Sequence, residues 1–210
     1  MIGSKLKAPL IWGGLALLMV VPVVAAGFSP YLSYRNAVYI IAGFAGIVGL
    51  ALLLPQPLLA ARYLPGLSPP QATRLHRWVG SGLVLCVALH VGGLYLTSPM
   101  DTLDVLLLRA PTPFAVHGFL AMWGVILTAL LVLFRRRLPL SPRLWRWAHN
   151  ALALGVVITT YIHAARIEGA MSPLTKTILL VAVLLANLVV ILDLRLVRPI
   201  LTRHRLTGRS

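Results

Sequence analysis

Six stretches of about 20 residues, nearly all apolar and separated by proline, run the length of this chain. They cover roughly residues 9–28, 37–61, 78–97, 114–134, 147–165 and 174–192. A helix of about 20 residues, rising 1.5 Å per residue, matches the hydrocarbon thickness of a bilayer. Within lipid, only helices and closed barrels satisfy their own backbone hydrogen bonds. The expectation is an all-α integral membrane protein, a six-transmembrane-helix bundle forming a single membrane domain over residues 1–210. Composition agrees: the chain is 59% hydrophobic and 11% charged, where soluble domains carry about 25% charged residues. The spans and their connections leave no room for a soluble domain.

Proline marks the boundaries, because it cannot continue a helix interior. The breaks fall at Ser29-Pro30, from Leu64 to Pro70, at Ser98-Pro99, from Ala110 to Pro113, from Pro139 to Pro142, and at Ser172-Pro173. Pro22, Pro55 and Pro57 lie within or near spans and predict kinks or early ends. Lys5 and Lys7 precede an apolar run ending in Val24-Ala25-Ala26. That run is read as the first span, being long for the core of a cleavable signal. Gly43, Gly46 and Gly49 sit inside an apolar helix with no preceding strand, so they point to close helix packing and not to a nucleotide loop. The single cysteine, Cys86, falls inside the third span and reads as a small buried hydrophobe.

The net charge of +15 does not point to nucleic acid, because of where it lies. With the N-terminus in the cytoplasm, only Arg35, Arg109, Arg166 and Lys176 of the 19 Lys and Arg residues fall outside. Of the four acidic residues, Asp101, Asp104 and Glu168 also fall outside. This asymmetry predicts both termini in the cytoplasm, with the basic clusters and a tail at 196–210 resting on anionic membrane lipid.

Against this apolar background stand two histidine pairs, His76 with His90 and His149 with His163. In each pair the second histidine follows the first by fourteen residues. Fourteen residues of helix span about 21 Å and bring the second imidazole back to within about 40° of the first. Ionisable side chains at membrane depth are costly and default to function. A lone buried histidine is ordinarily a hydrogen-bonded core residue; two equal pairs on two spans of the same direction are not explained that way. His76 falls level with His149 near the cytoplasm, and His90 level with His163 nearer the outside. Each level offers two imidazoles from facing helices, which suits six-coordinate haem iron engaged in electron transfer.

The arginines extend this scheme. Haem propionates need cationic partners, and Arg74, Arg77 and Arg146 are placed for the inner haem, with Arg166, near Tyr161, for the outer. Gly80, Gly82, Gly92 and Gly93, and Ala151, Ala153 and Gly155, keep the two helices slim between and just beyond the histidines. His117 opens the fourth span from outside, where it is a candidate contact to the outer haem edge or a metal ion. His204 lies in the basic tail and reads as solvated.

These residues resemble the ferric reductase-like transmembrane domain family, which includes ferric reductases, the membrane half of NADPH oxidases and the MsrQ-like haem subunit of a periplasmic methionine sulfoxide reductase system. The likeness runs through His76-Arg77-Trp78-Val79-Gly80 with His90, Pro113 to Gly118, and Arg143 through His149-Asn150 to His163, over about residues 37–195. It implies a membrane cytochrome b with two b-type haems, or one, between the third and fifth spans. His76 and His149 would ligate the inner iron, and His90 and His163 the outer. MsrQ-like proteins lack a histidine at the position of His76, so its presence favours two haems. Ferric reductases carry a flavin and nicotinamide domain; none is expected within these residues, so a flavin is expected on a separate partner or at the cytoplasmic face.

The expected function is electron transfer from a cytoplasmic flavoprotein or quinol to an external acceptor such as ferric iron, an oxidoreductase or its membrane subunit. The location expected is the inner membrane of a bacterium. The alternatives are an MsrQ-like subunit serving a periplasmic redox partner, and a non-haem, histidine-dependent metal transporter.

Overall fold

The computed structural model describes the backbone of residues 2–194 and the side chains of residues 7–194. The expected basic tail at 196–210 with His204, and the Lys5 side chain, lie outside the described residues. Among those described there is no strand. The helices are α1 (Ile2–Gly27), α2 (Ala37–Leu52), α3 (Pro55–Ala61), α4 (Pro69–Thr97), α5 (Pro99–Leu106), α6 (Ala115–Leu133), α7 (Pro142–Arg166) and α8 (Pro173–Leu192).

Proline does more here than end helices. Pro55, Pro69, Pro99, Pro142 and Pro173 each open the helix that follows, at the position where a missing N–H costs nothing and a fixed φ is already helical. The residue before the proline then caps: the Ser141 hydroxyl accepts from the Leu144 N–H at 3.2 Å and that of Ser172 from Thr175 at 3.3 Å. At α4, the Ser68 N–H donates to the Gln71 side chain at 2.8 Å. This cap starts α4 well before its apolar stretch, which sets His76 two turns inside a rigid helix. The second expected span breaks at Leu53-Leu54, where Pro55 begins α3. Pro9 and Pro22, by contrast, lie inside a continuous α1.

Five helical segments are long and apolar enough to cross a membrane: Lys7–Gly27, Ala37–Ala61 (α2 with α3), Pro69–Thr97, Ala115–Leu133 and Pro173–Leu192. The expected fifth span, α7, is a 25-residue helix but is not among them. Arg143, Arg146, His149, Asn150, His163 and Arg166 dilute its apolar character. The sequence reading also missed α5, a short helix with Asp101 in its first turn that lies between α4 and α6.

The helices form two packed groups. α4 lies against α2 and α3, while α7 lies against α6; α8 touches α1, α3 and α7. Leu50, Leu53, Leu54 and Leu59 meet Val125, Val156, Val157, Leu179, Leu180 and Val183 in a shared core. The Tyr63 hydroxyl donates to the Asp193 carboxylate, tying the loop after α3 to the end of α8. α4 and α7, which carry all four paired histidines, scarcely touch one another. α4 is half-buried on the face it turns to α2 and α3 and exposed on the opposite face, from Arg77 and Trp78 through Leu85 to Gly92.

Candidate functional site

The two outer histidines are held by the same device on two different helix pairs. On α4, His90 donates its Nδ1–H to the backbone carbonyl of Ala42 on α2 at 2.8 Å. On α7, His163 donates its Nδ1–H to the carbonyl of Phe114, just before α6, at 2.9 Å. In both cases a glycine stands four residues beyond the accepting carbonyl. A Cβ on Gly46 would come within 2.9 Å of the His90 ring, and one on Gly118 within 2.6 Å of the His163 ring. Each glycine is the space its imidazole occupies. The repeat of carbonyl, glycine and imidazole on α2–α4 and α6–α7 is an internal symmetry of the bundle.

A carbonyl oxygen only accepts, so each of these contacts places the proton on Nδ1 and leaves the lone pair on Nε2. Metal-bound histidines almost always use their second nitrogen in this way, which fixes the ring and strengthens the ligand. His163 lies within Coulombic reach of both His90 and His117.

At the inner level, His76 donates its Nδ1–H to the carbonyl of Gln56 on α3 at 3.2 Å. Its ring centre lies 6.3 Å from that of His149 on α7. A metal–imidazole bond is about 2 Å, so this edge-on separation is of the size that two imidazoles on one metal atom would need. His149 breaks the pattern, because its Nδ1 is buried without a hydrogen-bond partner. The ring instead stacks on Trp145, one turn earlier on α7, at 5.1 Å and 10°. Among the described residues, no three or more His, Cys, Asp and Glu side chains group to hold a metal ion. The histidines come in pairs, and a pair suffices only for an ion whose other positions are filled by something else.

The arginines separate into two kinds. Arg166 donates to the Pro113 carbonyl at 3.4 Å, and His117 donates its Nδ1–H to the same oxygen at 3.1 Å. The structure thus gathers Arg166, His117 and His163 around Pro113-Phe114. Arg146 precedes His149 by three residues, about 60° around the helix. Arg74 and Arg77 lie roughly 160° and 100° around α4 from His76, and open with Arg62, Pro69, Pro70 and Thr73 onto a groove on another flank.

The model of the ferric reductase like transmembrane component matches residues 45–160, more than half of the chain. The chain belongs to that family. The matched region holds Gly46, His76, His90, Gly118 and His149 and ends just before His163. No curated protein and no solved structure matches the chain.

Within this ferric reductase-like membrane domain, the glycines thought to slim the helices divide by neighbour. A Cβ on Gly93 would meet Ala42 at 2.7 Å, on Gly82 Leu52 at 3.4 Å, and on Gly80 Gln56 at 3.3 Å. These three let α4 close on α2 and α3. Gly92 and Gly155 have nothing within 4 Å and face open space. Gly49, against Cys86 at 3.3 Å, joins the close packing, whereas Gly43 touches nothing.

Proposed function

We propose that this ferric reductase-like chain is a six-pass membrane cytochrome b that carries electrons from a cytoplasmic flavoprotein or membrane quinol to an acceptor outside, such as ferric iron. The observation that carries the reading is the tautomer set by backbone carbonyls at His76, His90 and His163, which leaves three Nε2 lone pairs free at two levels. The proposed ligand pairs are His76 with His149 and His90 with His163. Held there by these histidines, two b-type haems would supply reversible one-electron iron chemistry.

The protein's own contribution is geometric and electrostatic. α4 and α7 scarcely touch, so in this reading the haems occupy a slot between the two helix pairs, and the glycine cradles hold the outer imidazoles at a fixed angle. Arg146 and Arg166 are the cations nearest the ligands in helical register and serve the propionates. Arg74 and Arg77, on another flank, face the membrane surface together with Arg62. His117, sharing the Pro113 carbonyl with Arg166, stands at the outer edge where an acceptor arrives.

α7 supplies the sixth crossing in this reading, its polar residues tolerated because they face the slot and the two interfaces. The charge asymmetry then sets both termini in the cytoplasm and the histidine levels near opposite sides of a bacterial inner membrane. Vesicles containing the purified chain, loaded with reduced flavin and bathed in ferric citrate, test the activity. Ferrous iron is expected outside at a rate that falls at least tenfold in His163→Ala. Its absence with the haem-loaded protein contradicts the function.

A further inference from the structure

Three of the four paired histidines are oriented by a backbone carbonyl, and the fourth has none. His76, His90 and His163 each give a proton to an acceptor on a neighbouring element. His149 gives its own to nothing, although the nitrogen is buried. An imidazole without such a bond is free to turn about its χ2 angle, and a ligand free to turn does not define one iron environment.

What His149 has is Trp145. The two are four residues apart on α7, where side chains lie one above the other, and their rings are parallel within 10° at 5.1 Å. The indole is itself fixed from two directions. Its Nε1–H donates to the Leu131 carbonyl near the end of α6 at 3.2 Å. The guanidinium carbon of Arg135, from the α6–α7 loop, lies 4.5 Å from its ring centre. Hydrogen bond, cation and helix backbone together leave the indole one orientation, and the stack passes that orientation to the imidazole.

We infer that Trp145 is the positioning residue of the inner ligand pair: with Arg135 and the Leu131 carbonyl it fixes the ring plane of His149 in place of a hydrogen bond. Arg135 is thereby set apart from Arg136 and Arg137 in the same basic run, as part of the inner site. Two consequences follow from the asymmetry. The inner level has one hydrogen-bonded imidazole and the outer level two, so the inner imidazole set is the weaker electron donor to iron. The inner plane also depends on a side chain that mutation can remove, whereas the outer planes depend on backbone.

The inference rests on the haem reading, and its test separates the two. Low-temperature electron paramagnetic resonance of the oxidised, haem-loaded full chain reports the angle between the two imidazole planes at each low-spin iron. In Trp145→Leu, the signal of one of the two irons broadens or shifts, and so does one of two reduction midpoints, while the other iron is unchanged. Trp145→Phe, which keeps a stacking ring, restores most of the wild-type signal. Arg135→Gln, which leaves α7 intact, moves the same signal in the same direction by less, and it serves if Trp145→Leu fails to insert. Unchanged spectra and midpoints in Trp145→Leu with both haems bound overturn the role of Trp145 and leave the haem reading intact. A wild-type chain that binds no haem overturns the haem reading instead.

Discussion

Gly46 and Gly118 are the residues on which the outer site turns, and neither carries chemistry. A methyl group at either position occupies the place of an imidazole, at 2.9 and 2.6 Å respectively. Overpacking of this kind costs about 1–3 kcal/mol, and here the ring itself must swing off its carbonyl. Gly118→Ala and Gly46→Ala are therefore expected to lose the outer haem while keeping the inner one. Gly43→Ala, with nothing within 4 Å, is expected to keep both; haem counted per chain on the purified variants checks the contrast. The four histidines were legible in the sequence because their spacing is a property of single helices. The carbonyls of Ala42 and Phe114 were not, because each lies nearly fifty residues from the histidine it orients and only packing brings the two together. The stack of Trp145 on His149 was not legible either, because the indole is fixed by the Leu131 carbonyl of another helix and only packing brings the two together.

Among the helices, α4 and α7 have an unusual standing: they carry the chemistry and scarcely meet. One flank of α4 packs on α2 and α3, while the opposite flank lacks the contacts that normally hold a span in place. Haem held between α4 and α7 would supply those contacts, so haem-free protein is expected to unfold at a temperature at least 10 °C below the haem-loaded form, with α4 and α7 first exposed to protease. A melting point in detergent unaffected by haem content contradicts this. The caps are expected to matter less: Ser141→Ala removes the bond to the Leu144 N–H and costs about 1 kcal/mol, read as a small drop in the same melting point. Hydropathy located the spans to within a few residues at α2–α3, α6 and α8. It misplaced the start of α4, because a Ser-Pro cap and polar residues extend the helix into the interface. It gave no sign of α5, which is too short and mixed to register.

At the scale of the whole molecule, two helix pairs carry the same carbonyl, glycine and imidazole device, and their histidine-bearing helices α4 and α7 scarcely touch, with basic loops at one end. The proposed electron donor meets those loops. Replacing Arg136 and Arg137 with glutamine, with Arg135 left in place over Trp145, is expected to slow haem reduction by the donor about tenfold at low salt and less at high salt, as interactions between exposed charges are screened. Equal rates at low salt contradict the docking role. Membrane class and family were legible because composition and motif spacing carry them. The identity of donor and acceptor was not, since it depends on surfaces that those features do not encode.

The central claim is two haem irons on four histidines. Reduced-minus-oxidised spectra with haem stoichiometry on the purified chain test it directly. The account predicts a b-type signal with two haems per chain, falling to one in His76→Ala and to one in His90→Ala. A chain with no b-type signal, or a haem content that neither substitution changes, contradicts it.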